Sequence, residues 1–491
     1  MSAAAKAIPL NGLRRRAMSL GAAKAFDYAM QFLLPVVLVR CLDTATFGEY
    51  RLLWLAIGTL MYLATFNMPQ SLYLFLPRAE PRLRHLYINQ TLVFLAVSGL
   101  LCAWALSPWN PWLPKAVLPL QQYGALVPSF IVLWLLAFML DFLPTVDERV
   151  GWQAALSIGL SALRVVMLAA GAYWSGSMKV MLVLLVAFAA LKLVVLLAYV
   201  ARHHGLRRPL LDPALFRHQL AVAAPLGFSV ALFGLRAQQD QWIAAHLFSL
   251  ASFAAFSVAG VLGQLVNVFR ASVNEAFLPS MSRMQAAGDA AGMADLNSRA
   301  NTTVGWLLYP AIAFAFVFAE DIISVVYTSA YLQAAPVMRV YLVAYSVMVI
   351  EVGSVILLLA EGKFALRLNI GMLIFSGVLS WTCATHFGLA GAAAGSCASL
   401  YLDRFFTLRR ISKRTGVPVR ALQDWRGLGA ALAYAVSAAI LAWGATEAWF
   451  SDARPIERVA AGGVVLMVSY AALYLWKERG WGRGTRQKAR P

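Results

Sequence analysis

QLAVAAPLGFSVALFGLRAQQDQWIAAHLF, residues 219–248, reads as a helix that crosses a lipid bilayer, yet it carries Arg236 and Asp240 in its second half. A spanning helix needs about 20 mostly apolar residues to cross roughly 30 Å of hydrocarbon, and this stretch exceeds that. A charged side chain near the centre of such a helix costs roughly 2.5–3.5 kcal/mol even on lenient insertion scales. Arg236 and Asp240 therefore have to face protein, a partner charge or water. Their spacing, i and i+4, puts them on one face where they can pair.

The rest of the chain has the same character. Of 491 residues, 61% are hydrophobic and 13% charged, with a mean hydropathy of +0.70, outside the range of soluble globular proteins. Barrel strands are excluded because they need only about 9–11 residues and alternate in polarity. The chain is expected to be an all-α polytopic membrane protein with fourteen spans, at 18–39, 52–76, 87–107, 124–145, 153–174, 179–200, 219–247, 252–279, 303–327, 336–360, 364–386, 389–411, 427–447 and 457–477. No linker between them has the length of a soluble domain. The basic and then apolar start resembles a signal peptide, but Asp27 interrupts the apolar region and no convincing cleavage site follows, so it is read as an uncleaved first span.

Lys and Arg collect on alternate connections: Arg14, Arg15 and Arg16; Arg78, Arg82 and Arg84; Arg202, Arg207, Arg208 and Arg217; then Arg409 through Arg426 and the tail WKERGWGRGTRQKARP. The intervening loops, such as SPWNPWLPK (107–115) and YWSGSMK (173–179), are nearly free of them. By the positive-inside rule both termini and the even-numbered loops are expected to be cytoplasmic. The net charge of +19 then belongs to anionic membrane lipid rather than to nucleic acid. Cys41, Cys102, Cys383 and Cys397 form no CxxC pair and the six histidines form no ligand pattern, so no disulfide and no metal is assigned.

An internal echo organises the spans. LDTATFGEYR (42–51) follows the first span and FSLASFAAFS (248–257) the seventh. Aligned without a gap they pair Thr46 with Ser252, Phe47 with Phe253 and Tyr50 with Phe256, and each leads into an apolar span ending in Phe-Leu-Pro, at 75–77 and 277–279. Copies six spans apart enter the membrane in the same orientation. The expected architecture is two parallel six-helix lobes around a central cavity, residues 1–205 and 206–415, with 416–491 adding two spans and a basic tail.

Four spans carry polar stripes at helical spacing: Lys24, Asp27 and Gln31; Gln153, Ser157, Ser161 and Arg164; Arg236, Gln239 and Asp240; and Gln264, Asn267, Arg270 and Asn274. Four cations against two nearby acids make the inferred interior cationic. Arg suits phosphate or pyrophosphate because its planar fork donates paired hydrogen bonds. Lys24, Arg164, Arg236, Gln239, Asp240, Asn267, Arg270 and Asn274 are accordingly the expected substrate-binding residues, and Asp27, Asp240 and Glu351 the expected ion-coupling carboxylates. Competing plain readings are snorkelling of Lys24 and Arg270 to the headgroups and a structural Arg236–Asp240 pair. Asp141, Lys192, Glu351, Arg367, Asp403 and Arg404 are expected to be helix-end anchors or contacts within a lobe, which sets a plain reading beside the coupling role of Glu351.

The stretches LDTATFGEYRLLWLAIGTLMYL (42–63) and FSLASFAAFSVAGVLGQLVNVFRASVNEAFLPSMSRMQAAGD (248–289) resemble the polysaccharide transporter family, which includes the Wzx-type flippases of the multidrug/oligosaccharidyl-lipid/polysaccharide superfamily. Asp240 in the seventh span and Leu278, Pro279, Ser282 and Arg283 after the eighth match that family's pattern, as do VVYTSAYLQAAPVMRVYLVAY (325–345) and HFGLAGAAAGSCASL (386–400), with Phe387 where Tyr is usual. The resemblance implies a flippase for polyprenyl-pyrophosphate-linked oligosaccharides in the bacterial inner membrane. It would be driven by a proton or sodium gradient, without a cofactor, and could serve a polysaccharide polymerase. No GxxxxGK[ST] phosphate loop occurs in the chain. A cation-coupled drug exporter of the same superfamily would favour an acidic cavity. A membrane glycosyltransferase or polymerase would be expected to expose a sizeable outer loop, and the richest here is only TEAWFSDARPIER (446–458).

Overall fold

The computed structural model describes residues 10–205 and 208–488, and all regular structure among them is helical. Arg207 lies outside the described residues, as do the side chains of Arg14, Arg15, Arg16 and Gln264. The protein is an all-α polytopic membrane protein. It forms two compact units that divide between Gln238 and Gln239, inside the helix formed by the stretch quoted above.

The first unit contains α1 (Leu10–Cys41), α2 (Thr44–Ala64), α3 (Met68–Phe75), α4 (Arg84–Ala105), α5 (Leu126–Ala137), α6 (Leu143–Val146), α7 (Val150–Ser175), α8 (Met178–His203) and the greater part of α9 (Pro213–Leu247). The second contains the end of α9, then α10 (Leu250–Ala259), α11 (Leu262–Ala286), α12 (Ala290–Val317), α13 (Ala319–Tyr327), α14 (Ala334–Met348), α15 (Gly353–Leu358), α16 (Gly362–Thr415), α17 (Trp425–Trp449) and α18 (Pro455–Lys488).

Among the described residues ten helices are long and apolar enough to cross a membrane, or eleven when α2 and α3, bent by 44°, count as one span. The difference from fourteen has three local causes. α16 holds two expected spans that meet at Gly388, whose φ of 68° and ψ of −148° are accessible to a residue without a Cβ. The expected spans 252–279 and 336–360 are each divided, into α10 with α11 and α14 with α15, so no unbroken helix in either is both long and apolar enough.

The sequence echo is a structural one at its start. Asp43 caps α2 by accepting from the backbone N–H groups of Ala45 and Thr46, and the aligned Ser249 caps α10 by accepting from Ser252. Phe47 and Phe253 are fully buried, as is Phe256, with Tyr50 close behind. Both copies then break. α2 ends at a bend where Phe66 and Asn67 take left-handed conformations, and α10 gives way to α11 around Gly260, whose carbonyl accepts a hydrogen bond from the Tyr345 hydroxyl. The copies diverge at their ends: Pro77 follows α3, whereas Pro279 lies inside α11.

One cluster of buried polar side chains in the first unit is joined by hydrogen bonds, as a low-dielectric interior favours. Gln219, at the head of the opening stretch, accepts from Gln90 and donates to Ser71 and Thr91 at 2.8 and 3.0 Å, and all four side chains are buried. At the other end of this unit Trp109 and Trp112, in the connection after α4, and Tyr173 and Trp174, in the last turn of α7, are exposed, the placement of an interfacial aromatic belt.

In the second unit the two halves of α16 lie back to back. A Cβ built at Gly391 would overlap the Cys383 carbonyl, and one at Gly395 would overlap the Ser376 carbonyl and the Ser380 hydroxyl. These small residues, four apart, permit the close helix approach on which packing in lipid depends. Gly395→Leu is expected to cost about 1–3 kcal/mol or more, because a backbone carbonyl cannot yield as a side-chain tip can. A fall in the melting temperature of the purified protein checks this, and a melting temperature equal to wild type would refute it.

Candidate functional site

In the first unit a cavity of about 700 Å³ opens among α1, α2, α5, α7, α8 and α9. Two of the stripes expected from helical spacing converge on it: Lys24, Asp27 and Gln31 from α1, and Gln153, Ser157, Ser161 and Arg164 from α7. The convergence follows from the packing of α1 against α7, each turning its polar stripe away from lipid.

Asp27 is the hub. It accepts from Gln31 at 2.7 Å and from the Ser161 hydroxyl, and the Arg164 guanidinium lies 3.7 Å from it. Arg164 also stands 5.9 Å from the centre of the Trp54 ring, so a cation–π contact holds it alongside the carboxylate. Its Nε is buried and finds no hydrogen-bond partner among the described residues, which leaves donor capacity unused. Lys24 lines the cavity and is largely exposed to it.

Two further charges line this cavity that helical spacing alone does not single out. Lys192 on α8 donates to Asp141 at 2.8 Å and stands 5.1 Å from the Trp134 ring. They are contacts within a lobe, as the sequence reading allowed, but they also complete the cavity wall. Asp141 sits where the chain turns between α5 and α6, and Lys192 is an isolated cation in an apolar helix. Neither belongs to a stripe, and 51 positions separate them. The usable signal was the cost of each charge in lipid, which requires a partner. The cavity thus carries Lys24, Arg164 and Lys192 against Asp27 and Asp141, a formal excess of one positive charge.

The remaining expected residues lie elsewhere. Gln238 lines the cavity and accepts from Thr59, whereas its neighbour Gln239 belongs to the second unit, with its amide against Gly377. Arg236 is half-buried on α9 and is not among the cavity's lining residues. Asp240 is buried in the second unit and accepts from the Tyr341 hydroxyl at 2.8 Å, with Tyr345 stacked 6.0 Å beyond Tyr341.

Arg270 forms an ion pair with Glu351 and also donates to Asn267 at 3.2 Å; Asn274 donates to Ser354 at 2.6 Å. Glu351 occupies the break between α14 and α15. Asn301 donates to its carbonyl and accepts from its N–H, Asn297 donates to the same carbonyl at 2.9 Å, and the Glu351 carboxylate accepts from the N–H groups of Gly353 and Ser354. An unwound stretch is tolerated in a spanning region only when its backbone is satisfied in this way. Within the second unit the Arg270 charge is offset by Glu351. Within the first, Lys192 is matched by Asp141 and Arg164 by Asp27, so the cavity's excess positive charge equals that of Lys24.

A profile of the polysaccharide biosynthesis protein family matches residues 13–285, more than half of the chain. The chain belongs to this family. That agrees with the resemblance carried by the 42–63 and 248–289 stretches. No curated protein matches the chain by sequence. Among solved structures, one described as the lipid II flippase MurJ in an inward closed conformation superposes with a TM-score of 0.72 at 10% identity, over 93% of this chain and 99% of that one. An inward-facing multidrug resistance MATE family transporter of the MOP superfamily gives 0.57 at 12% identity, over 79% and 96%. The MATE multidrug transporter DinF-BH gives 0.56 at 14%, over 84% and 98%. At such identities the likeness is one of fold.

Proposed function

We propose that this family member is a flippase that moves a lipid-linked anionic oligosaccharide, a repeat unit on polyprenyl pyrophosphate, from the cytoplasmic to the outer leaflet of a bacterial inner membrane. The observation that carries the reading is the cavity of about 700 Å³ inside the first unit, where Lys24, Arg164 and Lys192 face two carboxylates. Cations are expensive at this depth. They are useful for a cargo whose pyrophosphate must leave water, and Arg164 supplies the fork geometry that phosphate oxygens accept. Gln31, Gln153 and Gln238 offer amide partners for sugar hydroxyls, while the lipid tail stays in the bilayer.

In this reading the cavity opens alternately to each side of the membrane, driven by a proton or sodium gradient, with Asp27, Asp240 and Glu351 as the coupling carboxylates. Residues 1–205 and 206–415 act as the two lobes, 416–491 are appended, and both termini are cytoplasmic. A cation-coupled drug exporter fits the charges less well, since a cationic drug would meet an excess of positive charge. The test is transport itself. Purified protein is placed in liposomes containing a polyprenyl-pyrophosphate oligosaccharide, and outer-leaflet headgroup is read with an impermeant probe, with and without a pH or sodium gradient. Protein-dependent appearance of headgroup is expected; its absence across several glycans together with efflux of cationic dyes would overturn the reading.

A further inference from the structure

A second cavity, of about 330 Å³, lies in the first unit apart from the one described above. It is lined by Arg84 and His85 at the start of α4, Asp147 and Arg149 between α6 and α7, and His203 and His204 at the end of α8, with Pro81 closing one side. Its size falls at the small end of ligand cavities, roughly 300–1,000 Å³. All three contributing connections lie at the end of the unit where the chain's Arg residues collect.

The one carboxylate in its lining is already engaged. Asp147 accepts from the Tyr199 hydroxyl at 2.7 Å and pairs with His204 Nε2 at 2.7 Å. Burial works against its charge, but the hydrogen bonds from His204 and Tyr199 and the nearby positive charges outweigh this and hold its carboxyl below the usual carboxylate range. His203 Nδ1 lies 2.9 Å from the Tyr199 carbonyl, which only accepts, so that nitrogen carries the proton. Tyr199 in turn packs between His203 and Trp152, with ring centres 4.4 and 4.9 Å away, so this wall is held in place.

Arg149 makes no side-chain hydrogen bond or ion pair within 4 Å among the described residues, and the buried His85 Nε2 likewise has no hydrogen-bond partner. The amino ends of two long helices, α4 and α7, meet the pocket, and neither has a side-chain cap. Uncapped N–H groups and the helix dipole both favour an anion there.

We propose that the Arg84–His85–Arg149–His203 pocket is a binding site for a phosphate oxyanion, presented by an anionic lipid headgroup or by a soluble phosphate. Arg84 and Arg149 supply paired donors, His85 supplies its unpartnered Nε2 in the tautomer that carries the proton there, His203 forms part of the wall with its Nδ1–H given to the Tyr199 carbonyl, and Asp147 absorbs His204 and excludes it from the ligand. The inference does not depend on which cargo the larger cavity carries.

The protein is reconstituted in phosphatidylcholine nanodiscs, and its melting temperature is measured with phosphatidic acid added to the nanodisc or with inorganic phosphate added to the buffer, using chloride at equal ionic strength as control. Arg84 and Arg149 are exposed, so the Arg84→Gln/Arg149→Gln protein is expected to fold. Stabilisation of wild type by phosphatidic acid alone identifies the headgroup as the ligand; stabilisation by inorganic phosphate as well identifies a soluble one. In either case the double variant is expected to need at least tenfold more ligand for the same shift, while Arg202→Gln, at the same end but outside the pocket, stays within about twofold of wild type. A wild-type response that the double variant reproduces, or no response to either phosphate, would overturn the proposal.

Discussion

Arg164→Ala is expected to slow protein-dependent headgroup flipping by about tenfold to a hundredfold while leaving the amount of folded protein near wild type. A hydrogen bond to a charged group contributes about 1.5–3 kcal/mol, and each 1.4 kcal/mol is a factor of ten. Arg164 is the one guanidinium among the cavity's lining residues, 3.7 Å from Asp27 and with Nε unused, so its removal withdraws fork-shaped donors that no neighbour replaces. Folding should tolerate the change because Asp27 keeps Ser161 and Gln31 and its side chain is 36% exposed to the cavity. Arg164→Lys retains the charge without the fork, and an intermediate rate is expected. Flipping at the wild-type rate in Arg164→Ala liposomes would remove the phosphate-binding role.

The second large effect falls on the fold. Arg270→Ala is expected to destabilise the second unit by about 3–5 kcal/mol, the usual result of removing one partner from a buried ion pair. Glu351 is 10% exposed at its side chain and holds the break between α14 and α15 through the N–H groups of Gly353 and Ser354. Without Arg270 its negative charge would stand in a low-dielectric interior, where protonation or local unwinding relieves the cost. Arg270→Ala combined with Glu351→Gln should recover much of the loss, since the amide still accepts from those N–H groups. The measurement is a double-mutant cycle on melting temperature; equal losses in the single and double variants would show that the ion pair does not hold this break.

Spanning helices and polar stripes were legible for one physical reason. Lipid punishes every unsatisfied polar group, so a run of apolar residues, and each interruption of it, carries information without knowledge of neighbours. The stripes Lys24–Asp27–Gln31 and Gln153–Ser157–Ser161–Arg164 are periodic on their own helices, and both line the cavity inside the first unit. The echo of Phe47 and Phe253, each behind a capping residue, is equally local.

Pairing decisions are different in kind. That Lys192 answers Asp141, that Glu351 offsets Arg270, that Gln219 joins Gln90, Ser71 and Thr91, and that Gly391 and Gly395 admit the facing helix all depend on side chains distant in sequence. The same holds for the broken spans: residues 336–360 are apolar enough to read as one helix, and the break at Glu351 exists because Asn297 and Asn301, some 50 positions away, satisfy its backbone. By itself the sequence determined that the chain spans a membrane many times as helices, and which residues are too polar for lipid. Tertiary structure decided which of those residues meet, because the free energy of a buried charge is set by its partner, and no helix encodes the partner of another.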